Sequence, residues 1–219
     1  MVKIERSFPA PQSLAIEAKK LSGSYEMPDV VERLKKDFHN KCYICELKNL
    51  QDPQVEHLLP HKSGKYPERK FNWENLFWSC SHCNGVKNQK KYDIGIIDCC
   101  KDDPETLLTF KLIEGKIKIY AKDENNSNAV RTALLIHETF KLMNTGMRTY
   151  ASAMRYKELL KEMNILYDNL EEYKNNPDST YVQRKLKALL RRESAFAAFK
   201  RDYVRSKSEE FPKLLEYIL

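Results

Sequence analysis

Hydrophobic positions in this chain follow two rhythms. From Val130 onward they recur at helical spacing. Val130, Ala133, Leu134 and Phe140 open one helix, with Asn144-Thr145-Gly146 as a break. Ala153, Tyr156, Leu159, Leu160, Met163, Leu166, Tyr167 and Leu170 then keep one apolar stripe over several turns, the mark of a helix that buries a single face. Asn175-Asn176-Pro177-Asp178 stops it, and a further helix over Val182, Leu186, Leu190, Phe196 and Phe199 is predicted before a last turn at 211–218.

The first half is more broken. Met1 to Arg6 reads as an edge strand or an arm, and Ser13 to Leu21 as a helix ended by Ser22-Gly23-Ser24. Asp29 is placed to cap a helix whose Val30, Val31, Leu34 and Phe38 share a face. Val55 to Leu59 and Phe77 to Ser79 read as strands, and the polar run from Cys83 to Lys91 as a short helix. Leu107 to Ile113 and Lys116 to Ala121 flank Glu114-Gly115, a hairpin signal. The expected class is α+β, mostly helical, in four segments: 1–41, 42–98, 99–126 and a helical 127–219.

Composition narrows the function classes. The chain has 219 residues, six glycines and a formal net charge of +7, which suits a polyanionic partner without requiring one. No apolar run approaches the length of a membrane span. Six cysteines without a secretory signal point to a reducing cytoplasm.

The cysteines carry the sharpest signal. Cys42-Tyr-Ile-Cys45 and Cys80-Ser-His-Cys83 are two Cys-x-x-Cys turns, each presenting a pair of thiolates to one ion. Together they predict a closed, four-coordinate structural zinc site. Disulfides or a redox dithiol are the competing readings, disfavoured by the compartment and by the doubled motif. Cys99 and Cys100 are adjacent, which suits buried free thiols better than a second metal.

Between the two turns lie Glu56-His57, Asn75 and, just beyond, Asn84 and Lys87. Phosphodiester hydrolysis needs a base that is unprotonated near neutral pH and a cation on the leaving oxygen. His57 supplies the base, and a nearby Asn would fix its tautomer. Lys62, Lys65, Arg69, Lys87, Lys90 and Lys91 are placed to neutralise phosphates, and Tyr66 or Phe71 to stack on a base. Trp73 and Trp78 read as core anchors, and His61 and His82 as non-catalytic. The opposing reading makes His57 a structural neighbour of the zinc.

Glu56-His57-x-x-Pro60, Asn75-Leu76 and Cys80-x-x-Cys83-Asn84-x-x-Lys87 resemble the HNH endonucleases. The resemblance implies a zinc-stabilised ββα-metal module with His57 as general base and Asn75 orienting its imidazole. Glu56 and Asn84 would hold one catalytic Mg²⁺ or Mn²⁺. Asn84 stands where the family name has its second His, and an amide oxygen suits a hard cation.

The outer motifs, Lys3-Ile4-Glu5-Arg6, Glu46, Asp98 and Asp103-Pro104-Glu105, resemble the small nuclease subunits of Septu-type and retron-associated antiphage systems. That branch implies an ABC-type ATPase partner, with a retron reverse transcriptase and its DNA–RNA product as further partners. DNA is the favoured substrate, with RNA such as tRNA also open. No Gly-x-x-x-x-Gly-Lys run is present, so nucleotide chemistry would come from the partner. The alternative is a non-catalytic, zinc-stabilised nucleic-acid-binding or scaffold subunit.

Overall fold

A computed structural model describes residues 1–141 and 146–218. The opening residues form an arm, not a strand. Met1, Val2 and Ile4 are buried, and the Ile4 amide donates to the Cys99 carbonyl at 2.9 Å. Two helices follow, α1 (Gln12–Glu17) and α2 (Pro28–Asp37). Asp29 does not cap α2. Met27 holds the cap position and Pro28 the first turn, while the Asp29 carboxylate accepts from the Ser13 hydroxyl at 2.6 Å. The apolar face of α2 still packs as the pattern requires, with Val30, Leu34 and Phe38 fully buried.

Strand β1 (Pro53–His57) pairs antiparallel with β2 (Leu76–Cys80), placing Pro53 opposite Cys80 and His57 opposite Leu76. The connection is not plain loop, because it carries a short helix, α3 (Pro67–Lys70). Helix α4 (Ser81–Lys87) leaves β2 directly, so the order here is strand, strand, helix. After α5 (Pro104–Leu107), strands β3 (Leu108–Ile113) and β4 (Lys116–Ala121) form a second two-stranded sheet. Glu114 and Gly115 both take positive φ, 49° and 71°, as a two-residue turn matched to strand twist demands.

The remaining helices are α6 (Ser127–Thr139), α7 (Met147–Asn175), α8 (Thr180–Leu190) and α9 (Ala197–Ser206). The expected break at Asn144-Thr145-Gly146 falls mainly on positions outside the described residues, except for Gly146, which precedes α7 with φ 55°. The helix predicted across Val182 to Phe199 is two helices. Phe196 takes left-handed φ 49°, and its amide donates to the Glu46 carbonyl at 3.3 Å. A tertiary contact overrides the local period there. About half of the chain is helical, less than the expected majority, with two small antiparallel sheets.

One connected apolar cluster runs from Met1 to Ile218 and draws on all four predicted segments. Arg6 threads its centre. Its guanidinium lies 4.9 Å from the ring centroids of both Trp73 and Phe77 and donates to the Trp73 and Leu76 carbonyls at 2.8 and 2.9 Å. Trp73 and Trp78 are buried anchors, as expected. A second fastener joins α5 to the C-terminal helices. Glu105 accepts from Arg201 at 2.7 Å and from Arg205 at 2.8 Å, both on α9.

Candidate functional site

The β1–β2 hairpin presents chemistry at both ends. At the Cys80 end, Cys42, Cys45, Cys80 and Cys83 are all buried, and their sulfurs lie within 4.8 Å of one another. No disulfide joins cysteines among the described residues. Tetrahedral zinc thiolate at about 2.3 Å per bond spaces its sulfurs by about 3.8 Å, and the Cys45–Cys80 separation is 4.0 Å. The set fits a four-coordinate structural zinc, with no ligand position left for water.

Sequence spacing gave no hint of what surrounds these thiolates. Arg155, from the middle of α7, donates to the Cys80 sulfur at 3.0 Å and to the Ala151 carbonyl at 2.7 Å. Burial works against its charge, yet the neighbouring Cys45, Cys80 and Cys83 thiolates push its pKa up. Four thiolates around a dication leave a net negative site, and a buried guanidinium offsets part of that charge. His82 sits in the second turn but is tied down, with Nε2 3.1 Å from the Thr139 carbonyl. Its Nε2 also lies 3.4 Å from the Ser152 hydroxyl, so the ring links the second cysteine turn to α6 and α7.

At the other end, His57 closes β1 beside an open cleft of about 240 Å³ lined by Tyr25, Glu56, His61, Lys62, Asn84, Lys87, Asn88 and Asp93. His57 and Asn84 therefore share one concavity. The imidazole Nε2 lies 3.0 Å from the Lys70 carbonyl. A carbonyl can only accept, so Nε2 carries the proton and Nδ1 keeps the lone pair in the neutral ring. Tyr25 packs edge-on against the ring, 4.5 Å between centroids. Burial drives the His57 pKa down to about 4, and the Lys70 hydrogen bond only partly opposes this. The ring is neutral at pH 7.

Among the described residues, Asn75 makes no side-chain hydrogen bond to the imidazole. Its Oδ1 accepts from the Leu59 amide at 2.8 Å, and its Nδ2 donates to the Leu59 and Arg69 carbonyls at 2.9 and 3.0 Å. It staples the loop after β1 to α3, and through α3 it places the Lys70 carbonyl. The expected orienting role is thus indirect. Gly23 matters for a related reason. Its carbonyl receives the Lys70 ammonium at 2.9 Å, and a Cβ there would lie 1.9 Å from the Glu17 carbonyl oxygen.

Glu56 departs further from expectation. Its Oε1 accepts from Lys87 at 2.5 Å and its Oε2 from the Tyr43 hydroxyl at 2.6 Å, and Lys87 also donates to the His57 carbonyl at 2.9 Å. Burial lifts the Glu56 pKa despite both donors. Each oxygen thus accepts one hydrogen bond inside the protein and keeps a second lone pair, and Glu56 also lines the cleft with His57 and Asn84. The buried Glu56–Lys87 pair clips α4 to the end of β1. Asn84, by contrast, makes no side-chain hydrogen bond among the described residues and faces the cleft.

The predicted phosphate-binding cations divide in the same way. Lys87 is buried in that pair. Lys62 bridges to Asp93 at 2.8 Å, Lys91 is paired with Glu138, and Arg69 lies 3.9 Å over the Tyr66 ring. Lys65 and Lys90 form no ion pair among the described residues. His61, set aside on sequence grounds, lies 4.8 Å from the His57 ring, with its Nδ1 buried and unpartnered. Tyr25, Asn88 and Asp93 join the cleft unforeseen, because their spacing to the motif is too irregular to mark them.

No family model matches the chain. Among curated proteins, a 52-residue stretch is 42% identical to the Septu protein PtuB of Bacillus thuringiensis. The match covers 22% of this chain and 20% of that protein's length, well under two thirds of either. Within those bounds, the chain is similar to part of a Septu protein.

Proposed function

We propose that the chain is a metal-dependent endonuclease of the HNH type, acting as the effector subunit of an antiphage defence complex. One observation carries the reading. His57 is held as a single neutral tautomer in an open cleft, with the lone pair of Nδ1 uncommitted and Asn84 in the same cleft. In this reading His57 accepts the proton of the attacking water as the phosphodiester P–O bond is broken, a role worth about 10²–10⁴ in rate. Asn84 would hold a hard dication, Mg²⁺ or Mn²⁺, with the oxygens of Asn88 and Asp93 lining the same wall. When bound, that ion supplies positive charge for the leaving oxygen.

The partial likeness to PtuB supports the defence setting and a role in a multi-subunit complex, and an ABC-type ATPase is the co-subunit proposed. The substrate is nucleic acid, DNA in the first place. The test pairs wild type with His57→Ala, each with and without a co-expressed ATPase subunit, against plasmid DNA and total RNA in Mg²⁺. Cleavage by wild type alone is expected. Equal cleavage by both proteins removes the base from His57, and no cleavage by zinc-loaded wild type favours a binding or scaffold role.

A further inference from the structure

On the face formed by β4 and α6, far along the chain from the cleft, apolar side chains meet water. Tyr120, Val130 and Leu134 are 47%, 41% and 44% exposed. Val130 and Leu134 are four apart and stack on one line of α6, whose other apolar positions, among them Ala133, Leu135 and Ile136, are already buried. Two adjoining hollows of about 460 and 520 Å³ run along this seam. Ile119, Tyr120, Val130 and Leu134 line one, Ile117, Lys118 and Phe140 line the other, and His137 lines both. Tyr156 closes the far end by donating to the Gly115 carbonyl at 2.5 Å.

Lysines dominate the charge along the β3–β4 side of the seam. Lys116 and Lys118 are exposed on β4 and form no ion pair among the described residues. Lys118 stands directly opposite Lys111 in the hairpin register, and like charges in that position cost stability. Asp202 acts on Lys111 only through its longer-range field, and Glu124 is the carboxylate at the opposite end of the groove. An apolar groove rimmed by unrelieved lysines is complementary to an acidic, amphipathic ligand. A nucleic acid would satisfy the lysines but would leave Tyr120, Val130 and Leu134 uncovered.

We infer that this seam docks an acidic amphipathic segment of a partner protein. Its apolar side covers Tyr120, Val130 and Leu134, and its carboxylates meet Lys111, Lys116 and Lys118. The surface lies apart from the His57 cleft, so the inference stands whether or not the chain is a nuclease.

The test measures fluorescence anisotropy of the full chain with three probes. These are a labelled peptide with Leu on one helical face and Glu on the other, the same residues shuffled to destroy the stripe, and duplex DNA of equal charge. The amphipathic peptide is expected to bind at least tenfold tighter than the shuffled one. Its binding should weaken with salt and fall at least tenfold in Val130→Asp/Leu134→Asp. Both substituted side chains are exposed, and an unchanged thermal midpoint confirms the fold. The Lys116→Glu/Lys118→Glu variant should lose the peptide while keeping its DNA affinity. The inference is overturned by an absence of peptide binding, by equal binding of the shuffled peptide, or by DNA affinity that depends on these lysines.

Discussion

The two ends of the β1–β2 hairpin lie four residues apart along each strand, about 13 Å at strand rise, and are built by opposite rules. At the Cys80 end the ligand atoms are buried and turned on one another: four sulfurs lie within 4.8 Å of each other, and Arg155 donates to the Cys80 sulfur through a terminal nitrogen while its buried Nε has no partner. At the His57 end, among the described residues, side-chain capacity is left over at His57 Nδ1, at the Asn84 amide and at the buried His61 Nδ1. Four sulfurs closed around one point distinguish the zinc-compatible end. Side chains turned into an open cleft distinguish the other, where the proposed chemistry would take place.

Breaking the zinc-compatible end should produce the largest effect. Structural zinc contributes about 10–16 kcal/mol to small metal-clamped units. Cys80→Ser is therefore expected to lose zinc, by metal analysis, together with cooperative unfolding by circular dichroism. Retention of one zinc per chain would show that the cysteines are not the clamp.

The Glu56–Lys87 pair comes next. Glu56→Gln strands a buried ammonium, and removal of one partner of such a pair costs about 3–5 kcal/mol. Its denaturant midpoint should fall accordingly, and Glu56→Gln/Lys87→Met should recover much of the loss, since both charges are then gone. A neutral single variant would mean that the pair does not clip α4 to β1.

His57 should leave a pH signature of up to about 3 kcal/mol. Its folded pKa, about 4, lies below the ordinary 6.5, so between these values the unfolded chain binds more protons. Stability should therefore fall as the pH drops from 6.5 towards 4 and stay flat above 6.5. The wild-type slope minus that of His57→Gln isolates this contribution, because both proteins share the zinc cysteines. Identical slopes would mean that the ring is not held neutral.

Arg155→Met is expected to be the mildest change. Outer-shell partners tune metal affinity by about 10–100-fold, so a chelator should strip zinc from the variant more readily while cleavage by the loaded protein is unchanged.

These contrasts also explain what could be read from the chain. The cysteine turns, the two hairpins and the α2 and α7 stripes are local patterns, and local geometry sets them. Arg155 escaped notice because it meets Cys80 across 75 positions of chain. Tyr43 and Lys87 were equally hidden as partners of Glu56. A carboxylate beside a histidine reads as a metal ligand from the motif alone, and only the fold shows the internal donors it also serves. The helix predicted across Phe196 failed for a similar reason, since its pattern is helical but the Glu46 carbonyl takes its amide. Asn75 was identified as a site residue from its motif, yet its amide holds the loop that holds the ring.

The most direct test of this division of labour is to follow cleavage rate, zinc content and thermal midpoint together in His57→Ala. The account predicts zinc at one per chain, a midpoint close to wild type and a cleavage rate lower by about 10²–10⁴. A variant that keeps its zinc and fold and still cleaves at the wild-type rate would contradict it.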